Sequence, residues 1–496
     1  MRTKPSRREA LGILGAAGLA ALTGACGSPA AAAGSDAAGS DAAGEDAPTD
    51  SAGGLPKLAI IGGGIAGVAT AWLLDGVYDV TLFEAEAQLG GNVTTLPFDV
   101  RGQQVLVDIG AQYFHPGLYP NYAKLLDLLG VRDPKDDTKS DLYPAASSIT
   151  VFAPGETNPR FVSPVFSDPD KMWPLSADWN SPGLGAFNAM TSKAKELDSA
   201  SPDWMLPLED WLKQIGLDET QRNKIMIPWA AALFSGDIEQ SRGLSALGTV
   251  VFVSRTVGTD PTATIYYQTV KHGLGSVIQK LVSQCKTLTV KTATKITGIS
   301  RVGAQQFILD TAAGSQGPFT HLVMAVPGYA ASKILNNLPD MTAQRTALDT
   351  VEWYDSHLAI HRDPIYAASD PKNYSFLNCR VQDEKYCEAS MNLSISVAPP
   401  KDGQPTGLWK SWTTLRNVQP KEILHTVEYK HYLPTPKSFK GNNALAALQG
   451  QGNVWFAGGW TKTFDTQETA LISALEVVKG LKADAGVNSQ ALAAAT

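Results

Sequence analysis

The stretch Ala59-Ile60-Ile61-Gly62-Gly63-Gly64-Ile65-Ala66-Gly67 runs an apolar segment into Gly-x-Gly-x-x-Gly and on into an alanine-rich segment. This pattern predicts a strand, a tight turn and a helix over 65–75. Gly62 permits the turn, Gly64 lets the backbone approach a pyrophosphate, and Gly67 lets the helix pack closely on a sheet. The stretch therefore predicts a dinucleotide whose phosphates lie on the positive end of that helix.

An acidic residue completes the pattern at the expected distance. Glu84 follows the apolar run Val80-Thr81-Leu82-Phe83 and lies 22 residues after Gly62. A carboxylate at the end of a second strand can accept hydrogen bonds from ribose hydroxyls. Strand, glycines, helix, second strand and acid in this order favour an adenine dinucleotide over an ordinary glycine-rich turn.

Other segments resemble the flavin amine oxidase superfamily, in that family's order over residues 57 to 481. They are Glu84 to Asn92, Val107-Asp108-Ile109-Gly110-Ala111-Gln112-Tyr113-Phe114-His115, Lys271-His272-Gly273-Leu274-Gly275, Ala325-Val326-Pro327, Asn453 to Trp460, and Gln467 to Ala474. The resemblance implies FAD rather than NAD. It also implies an α/β fold, with a discontinuous Rossmann-like FAD-binding domain and a mixed α+β substrate domain.

The resemblance and the fingerprint together give a set of cofactor-binding residues. They are Gly62, Gly64, Ile65, Ala66, Gly67, Glu84, Ala85, Gly90, Gly91, Asn92, Gly110, Ala111, Ile296, Gly458, Gly459, Gln467 and Glu468. The last two open a helix predicted over 467–481, with Asp465 as its cap and Glu468 as the acid three residues later. In the family that helix points at flavin N1 and C2=O, where its positive end stabilises the reduced flavin. The same residues also suit a plain helix cap.

The chain departs from the family at four positions. Asn92 replaces the usual arginine, and Gly459 replaces the acid that commonly follows Phe-Ala-Gly. Amine-oxidising members carry a lysine on the strand that aligns with Ser356 to His361, and this chain has none there. Thr466 stands where those members have an aromatic cage residue. These departures argue against ordinary amine oxidation.

Candidate catalytic and substrate-binding residues come from the same region. His361 and His357 lie on the strand expected beside the flavin, where an imidazole can exchange protons near neutral pH. Trp409, Trp412 and Trp460 are candidates for the substrate pocket. The alternatives are structural histidines and ordinary core aromatics. No Ser-His-Asp arrangement and no metal-ligand spacing can be read from the sequence, so no metal is expected.

The first residues predict export. Ser6-Arg7-Arg8-Glu9-Ala10-Leu11-Gly12 is a twin-arginine start, and the apolar run from Leu11 to Leu22 is too short to span a bilayer. Leu22-Thr23-Gly24-Ala25-Cys26 resembles a bacterial lipobox, which would attach a lipid to Cys26. Plain cleavage at a nearby small residue is the alternative. We therefore predict a protein anchored by lipid on the periplasmic side of the bacterial cell envelope.

The sequence predicts the following domain limits. They are a signal at 1–26, a disordered tether at 27–54, an FAD-binding domain at 55–115, 270–335 and 450–482, a substrate domain at 116–269 and 336–449, and a disordered tail at 483–496. The tether holds five acids and no base. The whole chain of 496 residues has a formal net charge of −7. An acidic chain without a basic block is a poor nucleic-acid binder.

Three further cysteines, Cys285, Cys379 and Cys387, show no metal-ligand spacing. Cys379 and Cys387 lie eight residues apart across a predicted hairpin, and either a disulfide or two buried thiols suits them.

We predict an FAD-dependent oxidoreductase that removes a hydride from a C–N or C–C bond of an apolar small molecule and passes electrons to oxygen or another acceptor. Desaturation or isomerisation of an unsaturated lipid is one form of this reaction. The alternatives are a flavin amine oxidase that makes imine and hydrogen peroxide, and an envelope protein that binds FAD without turnover.

Overall fold

A five-stranded parallel sheet forms around the predicted dinucleotide-binding stretch. Its strand order is β19-β13-β1-β2-β9, where the numbers follow the chain. Side chains of β1 alternate between two cores, because successive residues of a strand point to opposite faces. Leu58 and Ile60 face a cluster with the surrounding helices, while Ala59 and Ile61 face a second cluster on the other side. Both faces of the sheet are therefore buried, as in other parallel sheets.

This computed structural model describes residues 54–163, 178–199, 202–256, 266–303, 305–462, 464–483 and 486–495, all within one compact unit, Ala52–Thr496. The strands are β1 Lys57–Ile61, β2 Asp79–Phe83, β3 Thr95–Val100, β4 Gln103–Asp108, β5 Leu142–Ala146, β6 Ile149–Phe152, β7 Phe161–Val162, β8 Tyr266–Val270, β9 Thr289–Lys291, β10 Gly298–Val302, β11 Gln306–Thr311, β12 Gly314–Phe319, β13 His321–Met324, β14 Trp353–His361, β15 Leu377–Gln382, β16 Tyr386–Asn392, β17 Trp409–Trp412, β18 Ile423–Tyr432 and β19 Val454–Phe456.

The helices, like the strands, are numbered along the chain. They are α1 Ile65–Leu73, α2 Pro120–Leu128, α3 Ser181–Leu197, α4 Leu208–Gln214, α5 Ile227–Leu233, α6 Ile238–Arg242, α7 Ala246–Thr256, α8 Gly275–Gln284, α9 Gly328–Ile334, α10 Thr342–Thr350, α11 Pro436–Ala446, α12 Gln467–Gly480 and α13 Val487–Ala494. In the part of the chain that the structure describes, no helix is long and apolar enough to cross a bilayer.

A second, seven-stranded sheet carries the other half of the structure. Its order is β18-β14-β17-β16-β15-β6-β7, with antiparallel pairing except between β15 and β6. Helices α3 to α7 pack against β15 and β16, and the hairpin β3–β4 packs against β14. The strands of the parallel sheet fall inside the predicted FAD-binding segments, and those of the seven-stranded sheet fall inside the predicted substrate segments. The fold is thus α/β with an added mixed substrate region.

One sequence expectation about local structure needs correction, and one open alternative is decided. The tail predicted to be disordered contains α13, whose Leu492 is buried and whose Asn488 side chain donates to the carbonyl of Trp72. Cys379 and Cys387 lie on the hairpin β15–β16 as expected, and both are buried free thiols in this structure. The predicted signal and tether, together with Cys26, lie outside the described residues.

The start of α12 differs from the predicted cap, with a consequence for packing. Thr466 is the cap and Thr469 closes the capping box, in place of Asp465 and Glu468. The Glu468 carboxylate instead accepts from the backbone N–H groups of Asn121 and Tyr122, at 3.2 and 2.8 Å. These are first-turn donors of α2, which lack partners inside their own helix. Glu468 therefore fastens α2 to α12.

We expect Glu468→Ala to lower the free energy of unfolding by about 2 kcal/mol, because two enclosed N–H groups lose their acceptor. Chemical denaturation of the purified protein measures this. Glu476→Ala is the matched control, since Glu476 lies on the same helix in an exposed ion pair with Lys462 and should cost at most about 1 kcal/mol. Equal losses in the two variants would show that Glu468 is not a cap of α2.

Candidate functional site

The glycine-rich turn after β1 leaves space at one position only. A Cβ at Gly67 would lie 2.0 Å from the carbonyl oxygen of Gly62, and one at Gly62 would lie 2.3 Å from that of Ala325. Those two glycines are required by the packing of the chain itself. A Cβ at Gly64 would meet only the carbonyl oxygen of Gly90, at an ordinary 3.8 Å. Gly64 caps α1 without a side-chain hydrogen bond, so the first N–H groups of Ile65 and Ala66 can receive an anion.

Two remote segments meet beside this turn. The N–H of Gly90 donates to the carbonyl of Gly63 at 3.0 Å, and Gly90 pairs with Gly64 in an isolated parallel bridge. The N–H of Ala111 donates to the carbonyl of Asn92 at 2.7 Å, while a Cβ at Gly110 would lie 2.4 Å from that oxygen. The Asn92 side chain is exposed. The predicted residues 62–67, 90–92 and 110–111 thus form one cradle lined by backbone.

Glu84, the acid after β2, already accepts hydrogen bonds from the backbone. The Glu84 carboxylate accepts from the N–H groups of Gly63 and Glu86, at 2.7 and 2.8 Å. Ala85 lies between Glu84 and Glu86 in the sequence. Each carboxylate oxygen keeps a further lone pair, so a ribose hydroxyl can still donate to it. Ile296 is buried in the same cluster as Phe83 at the end of β2. The predicted adenosine-binding residues therefore lie together at this edge of the parallel sheet.

The closing motif brings a second helix N-terminus and an unexpected carboxylate. The N–H of Gly458 donates to Ser473 at 2.9 Å, and α12 begins at Gln467, whose side-chain Nε2 is buried without a partner. A Cβ at Gly459 would lie 2.3 Å from the Asp465 carboxylate. An acid is therefore present beside position 459, although the chain has glycine there. Burial raises the pKa of Asp465, and nearby His431 opposes this shift.

One face of the seven-stranded sheet looks toward the hairpin β3–β4, and we call it the inner face. It carries Tyr354, Ser356, Leu358 and Ile360 of β14, together with their cross-strand neighbours His431, Tyr429, Val427, His425, Trp412 and Lys410. Ser356 is the first residue of the segment 356–361, on which the family resemblance expects a lysine. Its hydroxyl is buried beside the Tyr429 side chain.

The two candidate histidines lie on the opposite face. His357 and His361 alternate with Ser356, Leu358 and Ile360 along β14, so their side chains point away from the hairpin. His357 is exposed. The imidazole Nε2 of His361 is 2.7 Å from the Ser411 hydroxyl, and its ring packs edge-on against Tyr366. Burial lowers the pKa of His361 to about 4. This geometry does not support the expectation that either histidine exchanges protons beside the flavin.

The three candidate tryptophans are not brought together. Trp412 lies on the inner face, at the junction of the clusters formed with the hairpin and with the helices. Trp409 points to the opposite face and packs edge-on against Tyr374. Trp460 packs against Trp353, in the core beneath the parallel sheet. Only Trp412 therefore remains a candidate for substrate contact through the inner face.

Sequence reasoning missed a buried pair beside the cradle. Lys410 is fully buried and its Nζ donates to the carbonyls of Asp108 and Gly110, at 2.9 and 2.6 Å. The Asp108 carboxylate accepts from the Thr95 hydroxyl at 2.5 Å and from the N–H of Leu274 at 2.8 Å. Desolvation raises the pKa of Asp108 to about 6. The sequence signal for this pair was a lysine between bulky apolar residues in Trp409-Lys410-Ser411-Trp412. Because tryptophans stand on both faces of that strand, the sequence does not show which face is buried.

The residues present fit FAD. The cradle has room for a pyrophosphate at Gly64, two helices present uncapped or free N–H groups, and the side-chain amides of Gln112 and Gln467 each hold a buried Nε2 without an acceptor. Buried donors are rarely left unpaired, because each costs about 1–3 kcal/mol. An electron-rich ligand with many acceptors would satisfy them.

Replacing Gly64 by Val should give a folded but colourless protein, because the new side chain has room in the chain yet occupies the space of the pyrophosphate. Circular dichroism and the visible absorption of bound flavin measure the two properties. Gly185→Ala is the control, since its Cβ would meet only Gln221 at an ordinary 3.6 Å and should leave FAD bound. A yellow Gly64→Val protein would place the pyrophosphate elsewhere.

The acid stability of the protein should depend on His361. Its pKa is lowered in the folded state from 6.5 to about 4, so the unfolded state binds a proton first as the pH falls. The stabilisation is complete above pH 6.5 and is lost between pH 6.5 and 4. We expect the free-energy difference of unfolding between wild type and His361→Gln to shrink by up to about 3 kcal/mol across that window. Denaturation curves at several pH values measure it, and a constant difference would contradict the burial of a neutral imidazole.

Comparison with known proteins agrees with this geometry. The chain matches the family described as "Flavin containing amine oxidoreductase" over residues 65–356, more than half of its length. It is 40% identical to tryptophan 2-monooxygenase of Pseudomonas savastanoi over 63 residues, which span 12% of this chain and 11% of that relative.

Solved structures share the fold at low sequence identity. The fatty acid isomerase of P. acnes, described as producing CLA, has a TM-score of 0.58 at 14% identity, covering 85% of this chain and 98% of that one. Cyclohexylamine oxidase from Brevibacterium oxydans IH-35A has a TM-score of 0.56 at 16% identity, covering 86% and 99%. The cradle, the two helix N-termini and the family match together establish that the chain belongs to the flavin-containing amine oxidoreductase family and is an FAD-dependent oxidoreductase.

Proposed function

We propose that this enzyme removes a hydride from a C–N or C–C bond of an apolar small molecule bound against the inner face. The carrying observation is the segment Ser356 to His361 of β14, where amine-oxidising relatives are expected to have a lysine and this chain has none. Without that ammonium no lysine-held water orients an amine there. Bound FAD supplies the hydride acceptor, and the electrons then pass to oxygen or another acceptor.

The chemical character of the inner face supports an uncharged substrate. Val427, Trp412 and Tyr429 are only partly buried and give apolar contact, and the strands of this face carry no carboxylate turned toward the hairpin. Its one lysine, Lys410, already donates to three oxygen atoms. The three N–H bonds of an ammonium group are thereby used, and none remains for a water or a substrate.

The contribution of the protein to this reaction is placement. A flat aromatic surface at Trp412 and Tyr429 can hold an acyl chain or a ring by contact area. Hydride transfer from an activated C–H bond requires chiefly that the carbon be held close to the acceptor. Unsaturated fatty acids and related lipids have such activated bonds, so desaturation or isomerisation of these molecules is the form of the reaction that we favour. In desaturation the two electrons leave to the second acceptor, whereas in isomerisation the hydride returns to another carbon of the substrate and no external acceptor is consumed.

Amine oxidation is the second candidate, and Asp465 favours it. In the described part of the chain its carboxylate has no hydrogen-bond or ion-pair partner, and the groups facing it are His431 and the tyrosines 119, 429 and 432. A carboxylate withdrawn this far from solvent, as half-buried Asp465 is, is costly unless a cation or several donors reach it. A protonated amine could supply that charge, whereas a hydroxyl of the bound FAD could satisfy the carboxylate without any cationic substrate.

We also propose that the enzyme works on the periplasmic side of the bacterial cell envelope, held by lipid on Cys26. The twin-arginine start and the lipobox-like segment support this location. A twin-arginine route carries folded proteins, which suits an enzyme that acquires FAD before export. A lipid anchor would place the active site near a membrane reservoir of apolar substrates.

Anaerobic mixing of the holoenzyme with candidate substrates tests the substrate class. Primary, secondary and polyamines should leave the spectrum of oxidised flavin unchanged, whereas unsaturated fatty acids should bind and perturb or bleach it. Stopped-flow absorbance measures both outcomes. Rapid bleaching by a simple amine, lost in Asp465→Asn with FAD retained, would establish the second candidate instead.

Two tryptophans on one strand give a matched pair of variants for the same assay. Trp412→Phe should weaken lipid binding about fivefold, because the smaller ring loses contact area on the inner face. Trp409→Phe removes the same area from the opposite face and should leave binding unchanged. Equal effects on binding would contradict the placement of substrate at the inner face.

A further inference from the structure

Lys410 is an unusual residue for the middle of a sheet. It is fully buried on β17, and its ammonium donates to the carbonyl oxygens of Asp108 and Gly110 and to the side-chain oxygen of Gln112, at 2.9, 2.6 and 3.2 Å. Three acceptors match the three N–H bonds of the charged form. Burial lowers the pKa of Lys410 to about 7, and the Asp108 carboxylate opposes this shift. The geometry of the acceptors favours the ammonium.

This arrangement fixes the orientation of a neighbouring amide. Lysine only donates hydrogen bonds, so the atom of Gln112 that faces Lys410 must be the carbonyl oxygen Oε1. The amide nitrogen Nε2 must therefore point away from Lys410. That nitrogen is buried and has no hydrogen-bond partner, although Gln112 is only 3% exposed. The amide nitrogen of Gln112 is thus a buried N–H donor with a fixed direction, and the described protein residues supply no acceptor for it.

The position of the pair beside the cradle points to bound FAD as the source of the missing acceptor. Gln112 directly follows Gly110 and Ala111, which hold the Asn92 backbone beside the glycine-rich turn. The chain binds FAD, whose isoalloxazine ring carries several acceptor atoms. Charge placed in a site without water acts strongly on a group that becomes electron-rich, because the local dielectric is low. A lysine ammonium behind this turn therefore favours the reduced, electron-rich flavin.

We propose that Lys410 is a positioning residue for the cofactor, which fixes the turn 108–112 and aims Gln112 Nε2 as a hydrogen-bond donor to the isoalloxazine of FAD. Its buried positive charge makes the bound flavin easier to reduce. Lys410 would thereby supply a positive charge near the cofactor in a chain that has no lysine in the segment 356–361. The proposal depends on FAD binding and is independent of the substrate class.

The test is the redox behaviour of bound flavin in Lys410→Met and Gln112→Leu, measured without substrate. Potentiometric dye titration gives the reduction potential, and titration with sulfite gives a second readout, since sulfite adds to flavin and leaves it electron-rich. We expect a more negative potential in both variants. Sulfite affinity should fall about tenfold to a hundredfold in Lys410→Met, where a charged donor is lost, and about tenfold in Gln112→Leu. Thermal denaturation of each apoprotein separates loss of stability from these effects.

Lys430→Met is the matched control, because Lys430 lies on β18 of the same sheet with an exposed ammonium paired to Asp355. It removes the same formal charge and should change neither the potential nor sulfite affinity. An unchanged potential and an unchanged sulfite affinity in Lys410→Met would overturn the proposal. If Lys410→Met does not fold with FAD, Gln112→Leu decides: wild-type values for both readouts would overturn it.

Discussion

The Asp108 carboxylate joins parts of the chain that are remote in sequence. It accepts from the Thr95 hydroxyl in the hairpin β3–β4 and from the N–H of Leu274 at the start of α8. The Thr95 hydroxyl also accepts from the N–H of Gly275, at 2.9 Å. The backbone of the same aspartate accepts from Lys410 of the other sheet. The turn that follows Asp108 is therefore held from three sides, and both the cofactor cradle and the inner face depend on its position.

Local patterns predicted the cofactor cradle well. The requirements at Gly62, Gly64 and Gly67 act within a few bonds, because each concerns a turn or a close backbone approach. The structure shows the strand, turn and helix there, with α1 ending at Leu73 rather than 75. The helix at Gln467 was predicted for the same reason, although its cap is one residue later than expected. Features set by neighbouring residues are readable from sequence.

The sequence did not predict which face of a strand a residue occupies. In β14 apolar residues stand on both faces, so alternation gives no unique inward set, and a change of one position exchanges the faces. His361 was predicted to be beside the flavin for its strand, yet Ser356 and Leu358 are the residues that face the hairpin. Trp409 and Trp412 separate for the same reason. Lys410 acquires its role only from carbonyls some 300 residues earlier, and no local pattern reports such a contact.

The groups that the fold leaves unsatisfied say more about ligands than any single motif. The amide nitrogens of Gln112 and Gln467 are buried and unpaired. Each costs about 1–3 kcal/mol in the absence of a partner. A ligand that pairs with them binds the folded chain and not the unfolded one, and so stabilises the fold by mass action. Bound FAD that pairs with these groups would therefore add to the stability of the folded chain.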